Sequence, residues 1–124
     1  AAKRSSLFET IQAPTGVATD KLGNVYIASF SQNAVYKITP QNVKTTFVGA
    51  NNLGGPVGVA IDENNNIYIA NYTKGNVVKA EPDGKTSVLL LVKKPYCLNV
   101  DNQNKKLLIT EQEKNTVIKY DLSN

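Results

Sequence analysis

Three aspartates recur at intervals of 42 and 39 residues: Asp20, Asp62 and Asp101 each close a short β-branched run, a pattern that could supply repeated metal ligands. The first two precede clusters of Asn, Gly and Lys, where an Asp normally accepts backbone hydrogen bonds within a tight turn, and that structural role is expected for all three. Glu111 and Glu113 flank Gln112 and are the only paired carboxylates outside turns. No second group or buried setting in the sequence would split their pKa values for acid–base work, so an exposed acidic loop is expected. Cys97 is the single cysteine, and a nucleophilic thiol would want a basic partner to lower its pKa, so a buried, inert thiol is expected. The chain of 124 residues has no histidine, which excludes histidine-ligated metal sites and every mechanism that needs imidazole. No metal and no cofactor are expected.

At 41% hydrophobic and 19% charged residues, the chain has enough apolar mass for one small folded unit, taken as residues 1–124. Its longest apolar run, Val88 to Val92, is far too short to cross a bilayer, and no membrane partner is expected. Lysines and arginines exceed acidic residues by 14 to 10, but they are spread along the sequence, so nucleic acid is not the expected partner. One cysteine makes no internal disulfide. The sequon Asn71-Tyr72-Thr73 marks Asn71 as a candidate glycan acceptor. Localisation is otherwise open, with the sequon pointing to an extracellular or secreted setting.

The elements that position these residues come from a repeat of about 40 residues. Pro14-Thr-Gly-Val-Ala-Thr-Asp20 aligns with Pro56-Val-Gly-Val-Ala-Ile-Asp62 and more loosely with Pro95-Tyr-Cys-Leu-Asn-Val-Asp101. Asn24-Val-Tyr-Ile-Ala28, Asn66-Ile-Tyr-Ile-Ala70 and Lys106-Leu-Leu-Ile-Thr110 follow, and then segments centred on Val35, Val77 and Val117. Each copy has short β-branched and aromatic runs between turn residues, which predicts strands and essentially no helix. A fourth strand is expected at Val43 to Val48 and at Thr86 to Val92, but not after the third copy. A matching segment opens the chain instead, Ser6 to Ile11. The repeats then run at about 6–42, 43–84 and 85–124, with the outer strand of the last one supplied from the N-terminus.

A 40-residue period with four strands per unit is the signature of a β-propeller blade. The motifs Pro-x-Gly-Val-Ala-x-Asp, Asn-x-Tyr-x-Ala and Asn-x-Val-x-Lys resemble the NHL repeat, and the resemblance covers nearly the whole chain. Ser29, Asn71 and Glu111 stand where that family usually has an Asp, and Ala34, Asn76 and Thr116 where it commonly has an Arg. Some NHL proteins bind RNA on a basic face, and three candidate arginines are thus missing here. The resemblance implies an all-β fold and a ring of six blades. Three four-stranded blades per chain would leave two faces and an edge uncovered. The expected solution is a homodimer, in which Ser6 to Ile11 of each subunit completes the third blade of the other. A longer chain carrying the remaining blades and an open head-to-tail filament are the alternatives.

Propellers usually bind ligands on the loop face over the channel mouth. That face should gather Thr15, Phe30, Val57, Tyr72, Tyr96 and Asn99; its aromatics with nearby Asn and Gln could stack sugars or bases, and a protein or glycan ligand is the one expected. Asn99 departs from a column otherwise held by Ala18 and Ala60, so its amide must find a partner or water on a crowded inner strand. The function expected is a non-enzymatic binding or scaffold module. The alternative is an enzyme of the lactonase or lyase type with a channel site, which the resemblance to six-bladed propellers suggests.

Overall fold

The computed structural model describes residues 5–123 and consists of antiparallel strands apart from one 3-10 turn at Ala50–Asn52. Blade one contains β1 (Pro14–Thr19), β2 (Val25–Ser29), β3 (Ala34–Ile38) and β4 (Lys44–Val48). Blade two contains β5 (Pro56–Ile61), β6 (Ile67–Asn71), β7 (Asn76–Ala80) and β8 (Thr86–Leu91). Blade three contains β9 (Pro95–Asp101), β10 (Lys106–Glu111) and β11 (Thr116–Asp121). Every strand pairs with its neighbour in sequence, as local hairpins require. No helix among the described residues is long and apolar enough to cross a membrane.

The turn chemistry recurs as faithfully as the strands. Asn33, Gly75 and Asn115 occupy the same place between the second and third strands of their blades, with φ of 50°, 81° and 55°, the left-handed region that Asn and Gly tolerate. A register shift follows the first proline of β1 and of β5, and a third disturbs the pairing of β9 with β10.

Two apolar cores lie between blades. Ala18, Tyr26, Ala28 and Val35 of blade one pack against Val59, Ile67, Ile69 and Ala80 of blade two. Tyr68 and Val77 on the other face of blade two pack against Leu98, Val100, Leu107, Ile109, Ile118 and Tyr120 of blade three. Each blade thus has a leading face, turned toward the next blade, and a trailing face, turned toward the one before. Blade two is covered on both, and all five residues of β6 are buried.

The inner strands approach so closely that the leading face tolerates no side chain at two points. A Cβ on Gly16 would stand 2.5 Å from the Val57 carbonyl oxygen, and one on Gly58 would overlap that of Tyr96. The third residue of this column, Cys97, is exposed and not buried as its neighbours in the column suggested. It lies on the leading face of blade three, which no later blade covers in this chain.

No fourth strand follows β11 among the described residues, as expected for the third copy, and Ser6 to Ile11 forms no strand within the single chain. That segment lies near blade one, where Glu9 Oε2 is 3.5 Å from Lys44 Nζ. It therefore sits at the opposite end of the arc from the free edge of β11, and Leu7 and Phe8 are left exposed.

Candidate functional site

The loops entering the inner strands are tied down by one polar side chain per blade. Ser29 Oγ donates to the Gln12 carbonyl oxygen at 2.6 Å. Asn71 Oδ1 accepts the Gly54 N–H at 3.2 Å, and Glu111 Oε2 accepts the Lys93 N–H at 3.3 Å. Three different residues in one column thus perform one task, which the sequence alone did not suggest because their chemistries differ. All three are buried, where an unpaired polar group would be costly.

One expectation changes as a result. Glu111 is not part of an exposed acidic loop: it is buried, and its Oε1 accepts the Thr116 hydroxyl at 2.9 Å. Only Glu113 is exposed, 4.0 Å from Lys93 Nζ. The side chain of Asn71, the candidate glycan acceptor, is fully buried in the folded chain, and its Nδ2 donates to Asn76 Oδ1 at 2.9 Å.

Of the six residues expected at the channel mouth, the structure brings two aromatic rings together. Tyr72 and Tyr96 meet edge to face with centroids 6.0 Å apart, and Lys94 Nζ lies 5.7 Å from the Tyr72 centroid, within cation–π range. Phe30 stands half exposed on the neighbouring loop. A shallow cleft beside them is lined by Tyr72, Thr73, Lys74, Gly75, Lys93, Lys94 and Glu113, three cations against one carboxylate. Thr15 Oγ1 is occupied, donating to the Pro56 carbonyl oxygen at 3.1 Å. Val57 is buried, so its side chain presents nothing to a ligand. Asn99 is exposed and pairs opposite Leu108 on the leading face of blade three, not on a crowded interior wall. Ala18, which holds the same column in blade one, packs against the core between blades one and two.

The recurring aspartates serve their turns. Asp20 Oδ1 accepts the N–H groups of Leu22 and Asn24, and Oδ2 accepts the Asn24 amide and the Tyr26 hydroxyl. Asp62 repeats all four bonds with Asn64, Asn66 and Tyr68. Asp101 keeps two, both to Asn104. Burial works to raise the Asp20 carboxyl, but the hydrogen bonds outweigh it and hold the group below its usual 3.8. Burial, followed by the bond to Asp20 and its charge, pushes Tyr26 up to about 12. Among the described residues, no three His, Cys, Asp or Glu side chains are grouped to hold a metal ion.

This architecture of packed antiparallel blades, two of four strands and one of three, defines a β-propeller segment, and comparison with solved structures agrees. The chain resembles a structure of a nidogen/laminin complex at 18% identity and a TM-score of 0.73, over 87% of this chain and 48% of that one. A virginiamycin B lyase from Staphylococcus aureus aligns at 16% identity with a TM-score of 0.67, over 95% and 44%. A gluconolactonase from Xanthomonas campestris aligns at 15% identity with a TM-score of 0.72, over 81% and 36%. The chain spans less than half the length of each, and at these identities the likeness shows the fold alone. No family model matches the chain, and no curated protein does.

Proposed function

We propose that this chain is a non-enzymatic half-propeller that closes a six-bladed ring with a second copy of itself and presents its loop face to a partner. One observation carries the reading. Val17 is 64% exposed on the trailing face of blade one, whereas Val59 in the same column is 8% exposed. Val117 is 67% exposed on the leading face of blade three, whereas Val35 and Val77 in its column are 0% exposed. The two open faces are therefore the two halves of the contact that blades one and two, and blades two and three, already make.

A two-fold ring joins leading face to trailing face twice and continues the established interfaces without a new kind of contact. Ser6 to Ile11 of each copy would pair with β11 of the other, supplying the fourth strand and burying Leu7. Such a contact falls in the obligate class, on the order of 2,000 Å² or more. On the loop face, the Tyr72 and Tyr96 rings with Lys94 offer stacking and charge to a protein or glycan.

Light scattering tests the assembly. The expected mass is twice the 13.4 kDa of one chain, with an unfolding midpoint that rises with concentration. A stable, folded monomer at all concentrations would overturn the proposal and leave the remaining blades to a longer chain.

A further inference from the structure

On its two inner strands the leading face of blade three differs from those of blades one and two at four positions: Leu108 is smaller than Tyr26 and Tyr68, and the other three differences add atoms. Cys97 replaces Gly16 and Gly58, Asn99 replaces Ala18 and Ala60, and Thr110 replaces Ala28 and Ala70. On its two inner strands the trailing face of blade one differs in the opposite sense. Thr19 stands where blades two and three have Ile61 and Val100, and Val25 where they have Ile67 and Leu107. Along the innermost strands, β9 presents the larger residues on one open face and β1 the smaller ones on the other.

We infer that these two faces are coded for each other across two copies of the chain, with Asn99 of one copy set against Thr19 of the next. The inference rests on the ring proposed above. At the first internal junction, Ala18 and Ile61 pack against one core from opposite blades. The closing junction puts Asn99 and Thr19 at those positions, exchanging an apolar pair for two groups that can hydrogen-bond each other. Cys97 adds a geometric difference. At the internal junctions a bare glycine meets the carbonyl of the next inner strand, with no room for a Cβ. With Cys97 there, that strand must stand about 1 Å further off to reach ordinary contact distance. A ring closed in this way has four tight junctions and two wider ones, so its channel is oval.

The exchange gives specificity. A blade-three face carrying Asn99 leaves a buried amide unpaired against Ile61 or Val100, and a trailing face carrying Thr19 leaves a void against an alanine. Blades are thereby steered to the closing junction and away from mismatched stacking within or between chains.

A double-mutant cycle on the dimer dissociation constant tests this. Asn99 and Thr19 are both exposed in the single chain, so Asn99→Ala and Thr19→Ile should leave its circular dichroism unchanged. Each single variant should weaken the dimer about tenfold, and the double variant, which recreates the Ala18 and Ile61 pair, should recover to within about threefold of the parent. Assembly should also slow alkylation of Cys97. A dimer in which the two substitutions are neutral or simply additive, or in which Cys97 reacts equally fast at all concentrations, would overturn the junction while leaving the ring intact. A parent chain that stays monomeric would overturn the ring itself. Masses climbing beyond two chains, with the coupling retained, would keep the junction and overturn closure.

Discussion

The hydroxyl of Tyr68 donates a 2.8 Å hydrogen bond to Asp62 Oδ2 and so ties the middle of the second strand to the turn that precedes it. Tyr26 and Asp20 make the same bond at 3.1 Å. Blade three keeps the aspartate as Asp101 but has Leu108 in place of the tyrosine, so Asp101 bonds to Asn104 in its turn and to no hydroxyl of the second strand.

Tyr68→Phe removes one donor from a charged acceptor while preserving the packing of the ring. The expected loss is about 1.5 to 3 kcal/mol, measured by urea denaturation. An unchanged midpoint would show the bond to be energetically idle.

The Asp20 and Tyr26 pair makes stability depend on pH at both extremes. The Asp20 carboxyl is held below its usual 3.8 in the fold, so its contribution is complete above that value and disappears as pH falls through the lowered one. Tyr26 is raised to about 12, so its contribution is complete below about 10 and is lost as pH rises from there toward 12. Tyr26→Phe should therefore flatten the alkaline limb of a stability–pH curve.

Gly58→Ala should destabilise the chain by about 1 to 3 kcal/mol, because the added methyl meets the Tyr96 carbonyl oxygen and the backbone must shift. Cys97→Gly should cost far less, since the thiol is exposed in the single chain. Thermal unfolding of the two variants side by side, at one fixed protein concentration, checks the contrast.

Expressed through a eukaryotic secretory route, the folded chain should carry no glycan at Asn71, whose amide is buried against Gly54 and Asn76. Intact mass spectrometry reads this directly. A glycosylated chain with native circular dichroism would contradict the placement of that side chain.

Removing residues 1 to 11 should leave the strands of all three blades formed but abolish the dimer or cause aggregation through the unpaired edge of β11. Light scattering on the deletion variant decides the point. A truncated chain that stays dimeric would exclude strand donation.

Much of the fold could be read from local pattern. Alternation and turn chemistry placed the strands to within a residue or two, and the repeat placed one blade against the next, because hairpins and blade periods are short-range properties. The turn role of Asp20 and Asp62 was legible for the same reason, since their partners lie within six residues. The task shared by Ser29, Asn71 and Glu111 was not, because each reaches a backbone group 17 or 18 residues away and nothing in their chemistry unites them. Nor did the columns alone reveal that Cys97 and Asn99 would be exposed. A column shows which way a side chain points, but its burial depends on whether another blade covers that face, and only the packing of three blades in an arc shows where the cover ends.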